Sequence, residues 1–338
     1  MTAAPTRVVM VSNWAVNPYQ KLLVAELEKR GLSVSEQQPG ASPWSFRERP
    51  HVIHLQNVRP FLTSRGPLVS LARIALFALP LLMARGQGTR IVWTAHDLTN
   101  PNGRHPFIDR VATVVLAQLA HAIVVHDDVA ATRIDGRNVH VIPHGSYAGY
   151  YPDTITRADA RAALNMAEDD VVFLLFGWIR RYKGVMELIR AFKRVHVHGA
   201  RLVIAGRPSG EGLEDEIRAA AADDPRIVLE LRTIPDDAVQ LYMHAGDVAV
   251  FPYSRVLSSG AVVLAKSFGK ACIVASESGV DEEGAFLYDP NDERALTRAL
   301  ERAAGERGLL EEMGKANRAR SVEQHWGSVA EATLRLYA

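Results

Sequence analysis

The sequence predicts an α/β protein of two similar halves, each a parallel sheet with helices on both faces. Three observations carry this expectation. Continuous β-branched runs alternate with amphipathic segments, as expected of strands buried on both faces. The alternation starts at Arg7, breaks near residue 150 and restarts at Val171. At 338 residues the chain is longer than one core usually serves, about 250–300 residues.

In the first half, Arg7–Ser12 (RVVMVS) reads as a strand and Tyr19–Arg30 as a helix ending at Gly31. Strands follow at His51–Leu55, Arg90–Ala95, Ala122–His126 and Val139–Pro143. Tyr150–Thr156 reads as a linker. The second half opens with a strand at Val171–Phe176, then Gly177 and a helix from Gly184 to His196. Strands at Ala200–Ala205, Ile227–Leu231, Asp247–Pro252 and Ala271–Ala275 alternate with helices at Glu214–Ala222, Ala238–His244 and Ser259–Phe268. These are two Rossmann-like halves, residues 1–150 and 151–325. In such sheets ligands sit beyond the carboxyl ends of the strands, and the cleft between two halves is the natural place for chemistry.

Composition narrows the function. With 39 Lys+Arg against 38 Asp+Glu, the net charge of +1 argues against nucleic acid as partner. A lone cysteine, Cys272, cannot form an internal disulfide and fits a reducing cytoplasm. Met1–Arg7 has no apolar signal region. Pro67–Ala84 is nearly long and apolar enough to span a bilayer, but Arg73 and Pro80 interrupt it, and Arg65, Arg85 and Arg90 flank it. It reads as a buried helix covering a sheet, as a helix resting on a bilayer surface with an arginine fringe, or as a true span.

Four segments could carry chemistry. Gly177, Arg180, Arg181, Lys183 and Gly184 form a glycine and basic loop ahead of a helix N-terminus, suited to a diphosphate. The same spacing also describes a solvated basic turn. Ser258, Ser259 and Gly260 open the next helix, either as a second anion cradle or as a plain cap. His96 and Asp97 end the Arg90–Ala95 strand, where a proton acceptor would sit. Equally, Asp97 could cap a turn while His96 packs. His144 and Gly145 end the fifth strand, at a turn or a site, and Asn13, Asn17 and Tyr19 line the same end of the first sheet. The other histidines look scattered. No zinc signature, Walker A loop, G-x-G-x-x-G fingerprint or nucleophile elbow occurs, so no metal and no cofactor is expected.

Taken in order, these segments resemble the GT-B glycosyltransferases over nearly the whole chain. Lys183-Gly184 resembles the family's phosphate-binding loop. Ile234-Pro235-Asp236-Asp237, Ala245-Gly246-Asp247-Val248 and Phe251-Pro252-Tyr253 resemble its run into the donor loop, and Phe286–Asp292 followed by a helix also fits. Trp326–Tyr337 resembles the terminal helix that returns to the first domain, which puts 326–338 with the N-terminal half. Retaining members carry two glutamates eight positions apart; here those positions are Val256 and Leu264, and Trp178 replaces the usual arginine. Ser258-Ser259-Gly260 instead resembles inverting β-glycosyltransferases of lipid-linked oligosaccharide and exopolysaccharide assembly.

The resemblance implies an acceptor-binding first domain and a nucleotide-sugar-binding second domain. It implies a single displacement, with Asp97 as base, His96 as its partner or substitute, and the basic loop on the leaving diphosphate. Tyr253 falls in the donor or acceptor cleft by the same comparison. The expected partners are a nucleotide sugar and a carbohydrate, lipid-linked or small-molecule glycoside acceptor. Peripheral contact with the inner face of the membrane is expected through 67–84. A retaining transferase, a nucleotide-sugar epimerase and a non-catalytic auxiliary subunit are the rival readings.

Overall fold

The structure, a computed structural model, describes residues 6–12, 18–38, 49–64, 66–97, 105–136, 138–253, 259–276 and 282–338. Asn13, Asn17, Arg65, Val256 and Ser258 lie outside the described residues. The chain divides into two compact units, one of residues 1–145 with 324–338 and one of residues 146–323.

Unit 1 runs β1 (Arg7–Ser12), α1 (Pro18–Lys29), β2 (Ser33–Gln37), β3 (Val52–Gln56), α2 (Arg59–Leu62), α3 (Pro67–Gly86), β4 (Arg90–Thr94), α4 (Pro106–Leu119), β5 (Ala122–Val125), α5 (Asp128–Thr132) and β6 (Val139–Val141). Its six-stranded sheet has the order β2-β1-β3-β4-β5-β6, with every pair parallel. Both faces of β3 and β5 are buried, which explains their unbroken apolar runs. The polar β2 was missed because an edge strand with one exposed flank carries no such run.

Unit 2 runs α6 (Arg157–Ala163), β7 (Val171–Phe176), α7 (Val185–Lys193), β8 (Ala200–Ala205), α8 (Leu213–Ala221), β9 (Ile227–Glu230), α9 (Val239–Ala245), β10 (Val248–Phe251), α10 (Gly260–Ser267), β11 (Ala271–Ala275), β12 (Ala285–Tyr288), α11 (Ala295–Gly305) and α12 (Arg307–Glu323). The sheet order β12-β11-β10-β7-β8-β9 is all parallel, and the chain changes direction across the sheet between β7 and β10. That crevice is the switch point at which doubly wound sheets take ligands. Helix α13 (Trp326–Arg335) belongs to unit 1.

Two structural anchors serve unit 2. At the amino end of β10, Asp247 accepts hydrogen bonds from the Val172 amide and the Arg161 guanidinium, both at 2.7 Å, and pairs with Arg157. Asp247 therefore ties β10 to β7 and α6 at the end of the sheet opposite the switch-point loops. Ser146, just past the unit boundary, sets its hydroxyl 2.6 Å from Ser321 and 3.2 Å from Ser267, which fixes the incoming chain to α12 and α10.

Helix α3 corrects the expectation of a helix simply buried on a sheet. Only Ser70, Ile74, Phe77, Leu81 and Ala84 are buried. The remaining surface, leucine-rich, faces outward.

Candidate functional site

The loop after β7 is shaped by two close backbone approaches. Gly177 has φ 104°, and a Cβ on Gly206 would come within 1.8 Å of the Gly177 carbonyl oxygen. Gly184 has φ 70°, and a Cβ there would lie 2.2 Å from the Pro252 carbonyl oxygen. Glycine is thus required on both counts, conformation and space, where the basic loop crosses the end of β10. Ile179 is buried and bridges to Pro208, which holds the loop between these two points.

From that frame the cationic side chains diverge. Lys183 Nζ sits 5.8 Å from the ring centre of Tyr253. The Tyr253 hydroxyl meets Ser259 Oγ, and burial raises its pKa. Ser259 caps α10, yet its side chain makes no capping hydrogen bond, and Gly260 is exposed at the first turn. Lys183, Tyr253, Ser259 and Gly260 therefore line the switch-point edge formed by β7 and β10. Arg180 lies 6.0 Å from the Trp178 ring, which Arg207 approaches at 5.9 Å. Arg181 is committed elsewhere: its guanidinium is bidentate on Glu216 and donates to the Glu211 carbonyl at 3.1 Å. Leu264 is buried in α10, so nothing polar stands there.

In unit 1 the carboxyl ends of β3 to β6 carry a histidine cluster around Tyr19. The Tyr19 ring centre lies 4.7 Å from His96, 5.4 Å from His126, 4.9 Å from His144 and 5.0 Å from Trp326. A Cβ on Gly145 would come within 2.5 Å of the Trp326 indole, so Gly145 is what lets α13 dock. His54 bridges Tyr337 Oη at 2.6 Å and Thr94 Oγ1 at 2.7 Å. His126, first read as one of the scattered histidines, belongs to this group. The signal was present: β4, β5 and β6 are each followed within three residues by a histidine, His96, His126 and His144.

Hydrogen bonding fixes the tautomer of His126 and sets His96 between two acceptors. His126 Nδ1 lies 3.0 Å from the Ile142 carbonyl oxygen, which can only accept, so Nδ1 holds the proton. Its bare Nε2 lies 3.3 Å from His96 Nδ1 and can accept a hydrogen bond from it. His96 Nε2 lies 3.4 Å from Gln56 Oε1, an acceptor that calls for a proton on Nε2, while Gln56 Nε2 donates to Met10 Sδ. Burial drives the pKa of His54 and His144 down to about 3 and that of His126 to about 4, and takes His96 well below the ordinary value. All four are neutral imidazoles at neutral pH.

Asp97 is half-buried beyond this cluster, and its backbone carbonyl accepts from Arg59 Nε at 2.7 Å. Arg59 is itself buried, donates to the Asp109 carbonyl at 3.2 Å, and lies 3.8 Å from the Asp109 carboxylate. Burial lowers the Arg59 pKa to about 10, against the pull of Asp109 and Asp97. Sequence reasoning missed Arg59, because an arginine one residue before Pro60 on a four-residue helix carries no motif. Among the described residues no His, Cys, Asp and Glu group is placed to hold a metal.

Two parallel doubly wound units, each with polar side chains at strand carboxyl ends, define the class as a GT-B glycosyltransferase. Residues 170–306 match the family described as glycosyl transferases group 1. The chain is 26% identical to the GDP-mannose:glycolipid 4-beta-D-mannosyltransferase of Xanthomonas campestris pv. campestris, over 98% of this chain and 94% of that one. It is 22% identical to the lipopolysaccharide 1,2-N-acetylglucosaminetransferase of Salmonella typhimurium, over 83% of this chain and 75% of that one. Among solved structures, sucrose-phosphate synthase from Thermosynechococcus elongatus superposes with TM-score 0.77 at 17% identity, covering 98% of both chains. Anabaena HepE in complex with UDP-glucose does so with TM-score 0.74 at 15% identity, covering 97% of this chain and 99% of that one. The chain is a glycosyltransferase of GT-B fold, with its group 1 match lying in residues 170–306.

Proposed function

We propose that the protein transfers a hexose from a nucleoside-diphosphate sugar to an acceptor hydroxyl, with inversion and without a metal ion. The observation that carries this reading is the convergence of Lys183, Tyr253, Ser259 and Gly260 at the switch point of unit 2. Lys183 brings a cation there, and the open first turn of α10 brings amide donors and the positive end of a helix. Arg180 adds a second cation. Together they meet the charge that develops on a leaving diphosphate, in a preorganised way.

The acceptor hydroxyl gives its proton to the Asp97 carboxylate as its oxygen bonds to the anomeric carbon. The bond from that carbon to the diphosphate oxygen breaks, and the electron pair leaves with the nucleoside diphosphate. Asp97 is favoured over His96 because burial takes the His96 pKa well below its ordinary value and makes that imidazole a poor base. A carboxylate suffices because the proton moves only as the new bond forms. Arg59 holds the Asp97 backbone and so positions the base. The absence of a carboxylate at Leu264 supports inversion over the retaining alternative.

The name of the Xanthomonas relative supports a nucleotide sugar as donor, a glycolipid as acceptor and a β-linked product. A cytoplasmic location at the inner face of the membrane suits such an acceptor and a chain whose single cysteine is buried and free. The test is a thermal-shift panel of nucleoside diphosphates, followed by NMR assignment of the product anomer. A ligand at a hundredfold excess over its Kd adds about 2.7 kcal/mol of stability. A panel without any shift refutes the donor assignment, and an anomer of the donor's own configuration refutes inversion.

A further inference from the structure

The outward face of α3 has no protein partner among the described residues, and its composition is wrong for water. At about 100° per residue, Ser70, Ile74, Phe77, Leu81 and Ala84 fall within one arc of about 80°, the arc buried against unit 1. The opposite arc, centred on Leu79, holds Leu68, Ala72, Leu76, Leu82 and Met83, with no charged or hydroxyl side chain. Leu68 is 79% exposed and Leu76 71%. Single exposed leucines are ordinary, but a contiguous apolar face on a helix long enough to cross a membrane marks an interaction surface.

The charges decide the partner. Arg73 and Arg85 sit about 60° to either side of the buried arc's centre, at the two borders between buried stripe and open face. Arg85 also donates to the Gln118 and Leu119 carbonyls at 2.9 and 2.7 Å, tying α3 to the end of α4. On α4, Phe107 is 72% exposed, and Arg110 and Val114 are exposed too. Neither helix exposes a carboxylate; Asp109 is buried with Arg59. An apolar centre rimmed by uncompensated cations complements an anionic lipid surface, where apolar side chains enter the acyl boundary and arginines reach the headgroups. The inner stripe is packed on the protein, so α3 lies in the interface and does not cross it.

We propose that unit 1 docks on anionic phospholipid bilayers through the outward faces of α3 and α4, with α3 parallel to the membrane plane. The inference does not depend on the reaction or its donor. It is tested by flotation of the purified chain with phosphatidylcholine vesicles, with and without one-third phosphatidylglycerol. Binding is expected with the anionic vesicles, weakening as salt rises. Leu76→Asn with Leu79→Asn, both solvent-facing, should keep the parent melting temperature and lose about a hundredfold in partitioning, tenfold per leucine. Leu79→Trp should gain quenching by brominated lipid beyond the parent's own. A folded chain that floats with neither vesicle overturns the proposal, as does unchanged binding by the double variant. Concentration-dependent dimerisation lost in the double variant, without vesicle binding, would assign the face to a second copy instead.

Discussion

His126 Nε2 stands 3.3 Å from His96 Nδ1, while the other nitrogen of His126 is committed to the Ile142 carbonyl. His126 therefore has one proton arrangement, and its bare Nε2 calls for a proton on His96 Nδ1, whereas Gln56 Oε1, 3.4 Å from His96 Nε2, calls for it on Nε2. In 15N-resolved NMR, His126 should show the Nδ1–H tautomer alone and His96 a mixture of both. His126→Phe removes one of the two acceptors, so the His96 population should shift toward the Nε2–H form that donates to Gln56. An unchanged His96 population in the variant would show that something other than His126 sets it.

Asp97→Asn should leave nucleoside diphosphate affinity within twofold and reduce transfer by at least about a hundredfold, within the range of a lost general base. Arg59→Lys should give a smaller loss in kcat with the donor KM unchanged, because it loosens the Asp97 backbone without touching unit 2. Near-normal turnover in Asp97→Asn would place the base elsewhere.

Lys183→Ala should weaken nucleoside diphosphate binding by about 10- to 150-fold in calorimetry, the worth of one charge-assisted contact, 1.5–3 kcal/mol. Arg181→Ala should change it less than threefold, because that guanidinium is spent on Glu216. The two variants separate a shaped site from a merely basic loop: equal effects would favour diffuse attraction.

The fold was legible because both sheets are parallel and covered on both faces, so their strands are unbroken apolar runs such as Val171–Phe176 and Ala271–Ala275. The half-exposed edge strand β2 has no such run and went unread. In the site, Lys183 and Gly184 could be read because loop glycines and cations have few other local explanations. Arg59 and Gln56 could not, since each acts through a partner far away in sequence that only the topology brings near. Arg181 shows the converse: a cation in the right loop whose direction is set by Glu216, 35 residues on.

Gly184→Ala should cost donor binding before it costs the fold. The new methyl would meet the Pro252 carbonyl oxygen at a position with φ 70°, so the loop must lift off the end of β10. Nucleoside diphosphate affinity should fall by tenfold or more. Asp247→Ala acts at the opposite end of the sheet and should do the reverse. It leaves the Arg161 guanidinium, 1% exposed, without its carboxylate, at a cost of about 3–5 kcal/mol in stability. A denaturant titration and a binding isotherm on each variant check the pair.

The histidine cluster makes unit 1 acid-labile. An unfolded chain protonates these side chains near pH 6.5, whereas the folded unit holds His54 and His144 near 3 and His126 near 4. Below pH 6.5 the unfolded state therefore binds more protons, and stability falls as pH drops toward 4. Above pH 6.5 the contribution is constant. Each histidine adds up to about 1.4 kcal/mol per pH unit to that slope. Hydrogen exchange of β4 and β5, corrected for the intrinsic rate, should show lower protection free energy at pH 5.5 than at 7.5. His144→Phe should flatten the slope by about one histidine's share. Protection that is equal at both pH values would mean that the cluster takes up protons without unfolding, and would place water or a counter-charge among these rings.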